Sequence, residues 1–135
     1  MAIQLSVAVR NARLDAFETT VGTAAVLRIR TGAPPSNCAT ADAGTVLAEA
    51  TLPSDWMAAA SNGSKALSGT WQDASANASG TAAHFRIYDA AGTTCHLQGT
   101  VSATGGGGDM ELNNVSINST QTVTITSFTL TDANA

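Results

Sequence analysis

Charged side chains make up 12% of this 135-residue sequence, about half the share usual in globular domains. Aromatic residues are scarcer still, at 4%. The six basic residues are spread from Arg10 to Arg86, no two of them adjacent, and the net charge is −4. Nucleic-acid binding needs several phosphate contacts to displace counterions, so this distribution argues against a nucleic-acid partner. No stretch approaches the roughly 20 apolar residues that cross a bilayer, which argues against a membrane partner. Residues 1–22 have no basic start followed by an apolar run, because Arg10, Arg13, Asp15 and Glu18 interrupt it. That pattern predicts a chain made and folded in a cytosol rather than secreted. Cys38 and Cys95 are expected to stay reduced there, and their separation lacks the short spacing of metal or redox motifs.

Ser, Thr, Gly and Ala fill much of the sequence, and alanine supplies much of the 44% hydrophobic content. The bulky core must come from scattered Val, Ile and Leu, together with Trp56, Trp71, Phe85, Tyr88 and Phe128. Such a chain is poor in helix formers and rich in strand and turn formers. Its length fits a single domain over 1–135. The predicted fold is mainly β: an N-terminal α-helix within 1–22, then an antiparallel, jelly-roll-like β-sandwich over 23–135.

The helix is read from Ile3, Val7, Leu14, Phe17 and Val21, spaced by three, four or seven, with Gly22 as its terminator. It is expected to pack on the sheet as one amphipathic element. Ala24 to Thr31 alternates, with Leu27 and Ile29 toward the core and Arg28 and Arg30 toward solvent or a partner. A loop over 32–44 precedes a strand at Val46 to Leu52. Trp56 to Ala60 is expected to form a helical turn capped by Ser54, and Asn62-Gly63 a tight turn. Strands are expected at Ser64 to Trp71 and Ser79 to Tyr88. The latter pairs with Thr93 to Ala103 across a turn at Asp89-Ala90-Ala91-Gly92. Gly105 to Gly108 reads as a flexible loop before a strand at Met110 to Leu112. In the last strand, Thr122 to Thr131, Val123 and Ile125 have opposite parity to Phe128 and Leu130, so a β-bulge near Ser127 is predicted to bring all four into the core.

A catalytic site needs converging acid, base or nucleophile groups, and none is legible, so the chain is not expected to be an enzyme. His84 and His96 fall on the two strands of the predicted hairpin, and a metal site there would need Asp89 or Asp73 as a third ligand. Two sheet-surface histidines are the simpler expectation, and no metal or other cofactor is assigned. The four-glycine run lacks the Lys-Ser/Thr of phosphate loops and the alternating acids of calcium loops. Asp109 and Glu111 share a strand face without an opposing cleft wall. No Gly-x-Ser-x-Gly elbow is present.

Three segments carry a resemblance. Val9-Arg10-Asn11-Ala12-Arg13-Leu14-Asp15-Ala16 with Leu27-Arg28-Ile29-Arg30-Thr31-Gly32 forms the opening. Gly80-Thr81-Ala82 with His84-Phe85-Arg86-Ile87-Tyr88-Asp89 forms the centre. Val123 to Thr131 and the terminal Asn134-Ala135 form the close. In this order they resemble a family of small structural virion proteins of tailed phages and prophages. The resemblance implies a virion setting, assembled in the host cytoplasm, and carries no active-site residues with it. A capsid decoration or cement protein is the expected role, bound in many copies to the major capsid protein or other virion proteins. Multivalent docking of this kind favours a symmetric homo-oligomer. A tail, neck or fibre component with receptor- or sugar-binding loops is the alternative, with Trp56 and Trp71 as exposed stacking platforms. Tryptophans more often anchor the core of a small sandwich. Arg10, Arg13, Arg28 and Arg30 concentrate positive charge in the first quarter of an acidic chain, which makes them the expected partner contacts.

Overall fold

The protein is described here by a computed structural model covering residues 2–133; the terminal Asn134-Ala135 of the resemblance lies outside the described residues. Among the described residues, ten strands and one helix make up the fold, which is mainly β with the helix at its N-terminal end. Helix α1 spans Val7–Val21. It starts later than the apolar spacing suggests because Ser6 caps it: the Ser6 hydroxyl accepts a hydrogen bond from the Val9 amide at 3.2 Å, satisfying a donor that the first turn leaves open. Ile3 therefore lies outside the helix. Gly22 ends α1 at φ +89°, with its amide bonded to the Glu18 carbonyl. That positive φ is cheap only for glycine.

The strands are β1 (Val26–Arg30), β2 (Val46–Thr51), β3 (Ser64–Ala66), β4 (Gln72–Asp73), β5 (Gly80–Thr81), β6 (His84–Tyr88), β7 (Cys95–Ala103), β8 (Met110–Leu112), β9 (Ser116–Ile117) and β10 (Val123–Thr131). Eight of them form one curled sheet in the order β2-β1-β6-β7-β8-β10-β3, with β4 also on β10; β5 and β9 pair separately. Strand β10 holds the curl together by pairing successively with β4, β8 and β3. The curl brings β2 back toward β4, where the Glu49 amide donates to the Asp73 carboxylate at 2.9 Å. Where a backbone ladder would otherwise end in an open edge, a side chain closes the gap.

Several expectations hold and several change. The β6–β7 hairpin, β8 and the Asn62-Gly63 turn are present, the last with both residues at positive φ. The register of β10 against β8 slips between Ile125 and Ser127, so the predicted bulge is there; Val123, Ile125 and Phe128 are buried, while Leu130, expected with them, is half-buried against the core. Trp56 to Ala60 forms no helical turn: Met57 bridges Leu67 in extended pairing, and the Ala58 amide donates to the Ala66 carbonyl. The predicted strand at Ser64 to Trp71 ends early, and Ser79 to Tyr88 is broken between β5 and β6, because the Ala82 and Ala83 amides bond to Val115 and Arg30 on different neighbours.

The glycine run plays a structural part. Strands β7 and β8 are parallel, with Val101 opposite Met110, although parallel neighbours normally need a crossover of a dozen or more residues. Residues 104–109 make the return with Gly105 and Gly107 at φ +83° and +81°. At Gly108 a Cβ would stand 2.7 Å from the Ser102 backbone nitrogen. The loop lies directly on β7, held by Glu111, whose carboxylate accepts from the Gly105 and Gly107 amides, and by Ser102, whose hydroxyl accepts from Gly108. It is a packed turn rather than a free loop.

Five of the six aromatic residues form one continuous line. Phe17 on α1 meets Trp56 edge-on at 5.7 Å, Trp56 meets Trp71 at 5.7 Å, Trp71 meets Phe128 at 5.4 Å, and Phe128 meets Phe85 at 5.6 Å. Both tryptophans are buried, and their indole N–H groups donate to backbone carbonyls: Trp56 to Gly22, Trp71 to Trp56 and Ser68. Buried indoles need such partners. The line joins helix to sheet across the whole core.

Candidate functional site

Alternation along β6 puts Phe85 and Ile87 toward the core and His84, Arg86 and Tyr88 on the opposite face. Loop 32–44 covers that second face, so every residue of β6 is buried. Arg86 is only 2% exposed. Its guanidinium donates to the Asp42 carboxylate, to the Asn37 and Thr40 carbonyls at 2.9 and 3.0 Å, and to the Gln98 side chain at 3.0 Å. Asp42 also receives Arg30 Nη2 at 2.7 Å and the Tyr88 hydroxyl at 2.6 Å. One loop carboxylate thus gathers two arginines and a tyrosine from two adjacent strands. Burial works against its charge, but the hydrogen bonds from Tyr88 and Arg86 and the nearby guanidinium charges outweigh that and hold Asp42 below the usual carboxylate range.

His84 lies beneath the loop's first turn, and its Nδ1 is 2.7 Å from the Gly32 carbonyl. A carbonyl only accepts, so Nδ1 carries the proton. Nε2 is left buried without a partner. Burial lowers the His84 pKa, and the neighbouring Arg30 and Arg86 charges add to that against the Gly32 hydrogen bond. His84 is opposite Thr100 in the β6–β7 register, well along the strand from His96, so the two histidines do not face each other. His84 belongs to the interior rather than the sheet surface. Among the described residues, no three His, Cys, Asp or Glu side chains cluster as metal ligands would.

These groups set a pH dependence. The lowered pKa of His84 means that the folded chain binds fewer protons than the unfolded one once pH falls below about 6.5. Asp42 adds the same sign below about 4. Stability should therefore fall between pH 7 and 5, with a slope of at most about 1.4 kcal/mol per pH unit from a single histidine. Denaturant titrations at several pH values should show this slope in the wild type and a flatter one in His84→Gln. Equal slopes would remove His84 from the explanation.

The four arginines singled out in the sequence have separate environments. Arg28 bonds Glu49 at 2.6 Å and the Gly92 carbonyl at 3.0 Å, and stacks over the Tyr88 ring at 4.7 Å. Arg30 is buried on Asp42. The β1 arginine face thus meets the protein's own loop and neighbouring strand, because that face is covered. Arg10 donates to the Asp132 carbonyl at 3.0 Å. Arg13 faces Asp132 at 3.2 Å, with 60% of its side chain exposed. The basic residue that sequence reading passed over is Lys65, 3% exposed in its side chain on β3 and bonded to Asp15 and Glu18 of α1 at 2.7 and 2.9 Å. Its pKa is raised, because the two carboxylates outweigh the cost of burial. Together with Asn11, which accepts from the Gly63 amide at 2.8 Å, these polar contacts hold the helix where its apolar stripe does not reach.

Comparison with family models, with curated proteins and with solved structures gives no match. The geometry alone therefore bears on function. Asp109 and Glu111, which share a strand face in the sequence, bond the Thr100 backbone and hydroxyl and the glycine-loop amides. Trp56 and Trp71 are core residues, so they offer no stacking platform for a sugar. The outward features are at the other end of the chain. Ile3, Val7 and Val9 are 84%, 44% and 46% exposed, and Arg13 lies on the helix that carries the two valines.

Proposed function

We propose that this chain is a structural virion protein of a tailed phage, docked in many copies on the head shell as a decoration or cement protein. The sequence resemblance supplies the virion setting, and the observation that supports docking is the placement of exposed apolar side chains within residues 3–9. A chain that buries two tryptophans, two arginines and a lysine nevertheless leaves an isoleucine and two valines in water at one end. Exposed large apolar groups are candidate contacts, here presented on more than one side of the chain's first turns, since Val7 and Val9 are two positions apart on α1 and do not share a face. The partner is the major capsid protein or another virion protein, and Arg13, paired with Asp132 but 60% exposed, lies one helical turn from Val9. Repetition over a symmetric shell makes a modest contact sufficient, because each copy of a homo-oligomer adds to the avidity.

The triple variant Ile3→Asp, Val7→Asp, Val9→Asp tests the surface. It should fold with a Tm within about 3 °C of wild type, since surface changes away from buried features cost little. Its incorporation into particles, measured by quantitative mass spectrometry of purified virions, should fall at least tenfold. Wild-type incorporation of a folded variant would overturn the assignment of this surface. Reversing Arg28 or Arg30 would be a poor test, because both hold the fold together.

A further inference from the structure

Cys38 and Cys95 are 57 positions apart in the sequence, yet the fold brings them together. Cys38 lies in loop 32–44 between Asn37 and Thr40, whose carbonyls are both bonded to Arg86. Cys95 opens β7 opposite Tyr88, just past the register shift that follows Ile87. Arg86 and Tyr88 are alternate residues of one strand, so a clamp on the first delivers the loop cysteine to the partner of the second. The Cys38 thiol lies near enough to Cys95 to raise the pKa of its thiol, and Cys95 Sγ itself donates to the Leu97 carbonyl at 3.4 Å. They share the wall of a surface cavity of about 250 Å³ with Asp42, Arg86, Tyr88 and Thr93. Both are free and half-buried, so a small reagent can reach them from the cavity.

We infer that Cys38 and Cys95 form a disulfide-forming site that staples loop 32–44 to the β6–β7 hairpin when the chain meets a low-molecular-weight disulfide. The reaction is thiol–disulfide exchange. One cysteine thiolate attacks the small disulfide, forming a mixed disulfide and releasing one small thiolate. The second cysteine loses its proton, attacks the protein sulfur of the mixed disulfide and expels the second small thiolate. The two cysteines are oxidised by two electrons, and one small disulfide is reduced to two thiols. Burial and the Cys38 contact push the Cys95 thiol up to about 11, so exchange at neutral pH should be slow and should speed up as pH rises. In a compartment held reducing by glutathione the pair remains a dithiol. The staple does not depend on where the protein docks.

The test uses the full chain, reduced and then incubated with oxidised glutathione at pH 8. Intact mass should fall by two hydrogens, and peptide mapping without reductant should yield the Cys38 peptide joined to the Cys95 peptide. A cross-link closing a loop of this length should raise Tm by at least about 5 °C. The rise should disappear on reduction and be absent in Cys38→Ser. Glutathione adducts on the separate cysteines without an internal link, or thiols that stay free in the folded chain, would overturn the inference. An internal link that leaves Tm unchanged would overturn the stapling role.

Discussion

Asp42→Ala is expected to lower the Tm by about 10 °C. The substitution leaves Arg86 and Arg30, 2% and 6% exposed, without their carboxylate, and leaves the Tyr88 hydroxyl without its acceptor. Breaking a buried pair by removing one partner typically costs about 3–5 kcal/mol, because the surviving charge is stranded. The Asp42 side chain is itself 34% exposed, so water screens part of that loss, and about 2–3 kcal/mol is the appropriate scale. For a domain of this size that corresponds to about 10 °C. The Arg86 bonds to the Asn37 and Thr40 carbonyls remain possible, so the loop should loosen rather than detach. Thermal unfolding followed by circular dichroism checks the size of the effect. Asp42→Asn, which keeps the shape but loses the charge, separates the two contributions: if it matches wild type, hydrogen bonding rather than charge holds the loop.

Trp71→Ala should be more damaging still. Trp71 is 1% exposed and sits mid-line between Trp56 and Phe128. Its removal opens a cavity in the only aromatic path from α1 to the sheet among the described residues. It also takes the indole donor from the Ser68 carbonyl and from the Trp56 carbonyl, the latter keeping its bond from the Ser68 amide. Truncating a buried tryptophan costs about 3–5 kcal/mol, or about 10–20 °C in Tm. Because the line reaches Phe17 on the helix, the near-ultraviolet signal of the remaining Trp56 should change as well. A Tm drop of less than about 5 °C would mean that the core around Trp71 collapses to fill the space.

Hydrophobic alternation made the interior legible. Leu27, Ile29, Phe85 and Ile87 are buried as their parity requires, and the parity break in β10 located a bulge that the register confirms. The same alternation misled on the other face. Arg28, Arg30 and His84 alternate with core residues and so read as surface groups, yet loop 32–44 covers most of that face. Alternation reports which way a side chain points, not whether another segment lies over it. The Asp42 in a Pro-, Ser- and Ala-containing loop gave no local signal of the three partners it meets. The strands at β4, β5 and β9 are two residues each, too short to show a period. The parallel β7–β8 pair was hidden because its return fits within six residues, a path opened by the glycines that had read as flexibility. On α1, apolar spacing located the helix but overstated its apolar contact: Leu14, Phe17 and Val21 pack inward, while Ile3 and Val7 remain outside. That overstatement leads directly to the proposed docking surface.

Immunogold labelling of intact virions with an antibody against this protein, viewed by electron microscopy, tests the proposed role most directly. The decoration reading predicts gold spread evenly over the head in many copies per particle, and little or none on particles assembled with the Ile3→Asp, Val7→Asp, Val9→Asp variant. Gold confined to the tail or neck, or particles that carry none of the protein, would contradict it.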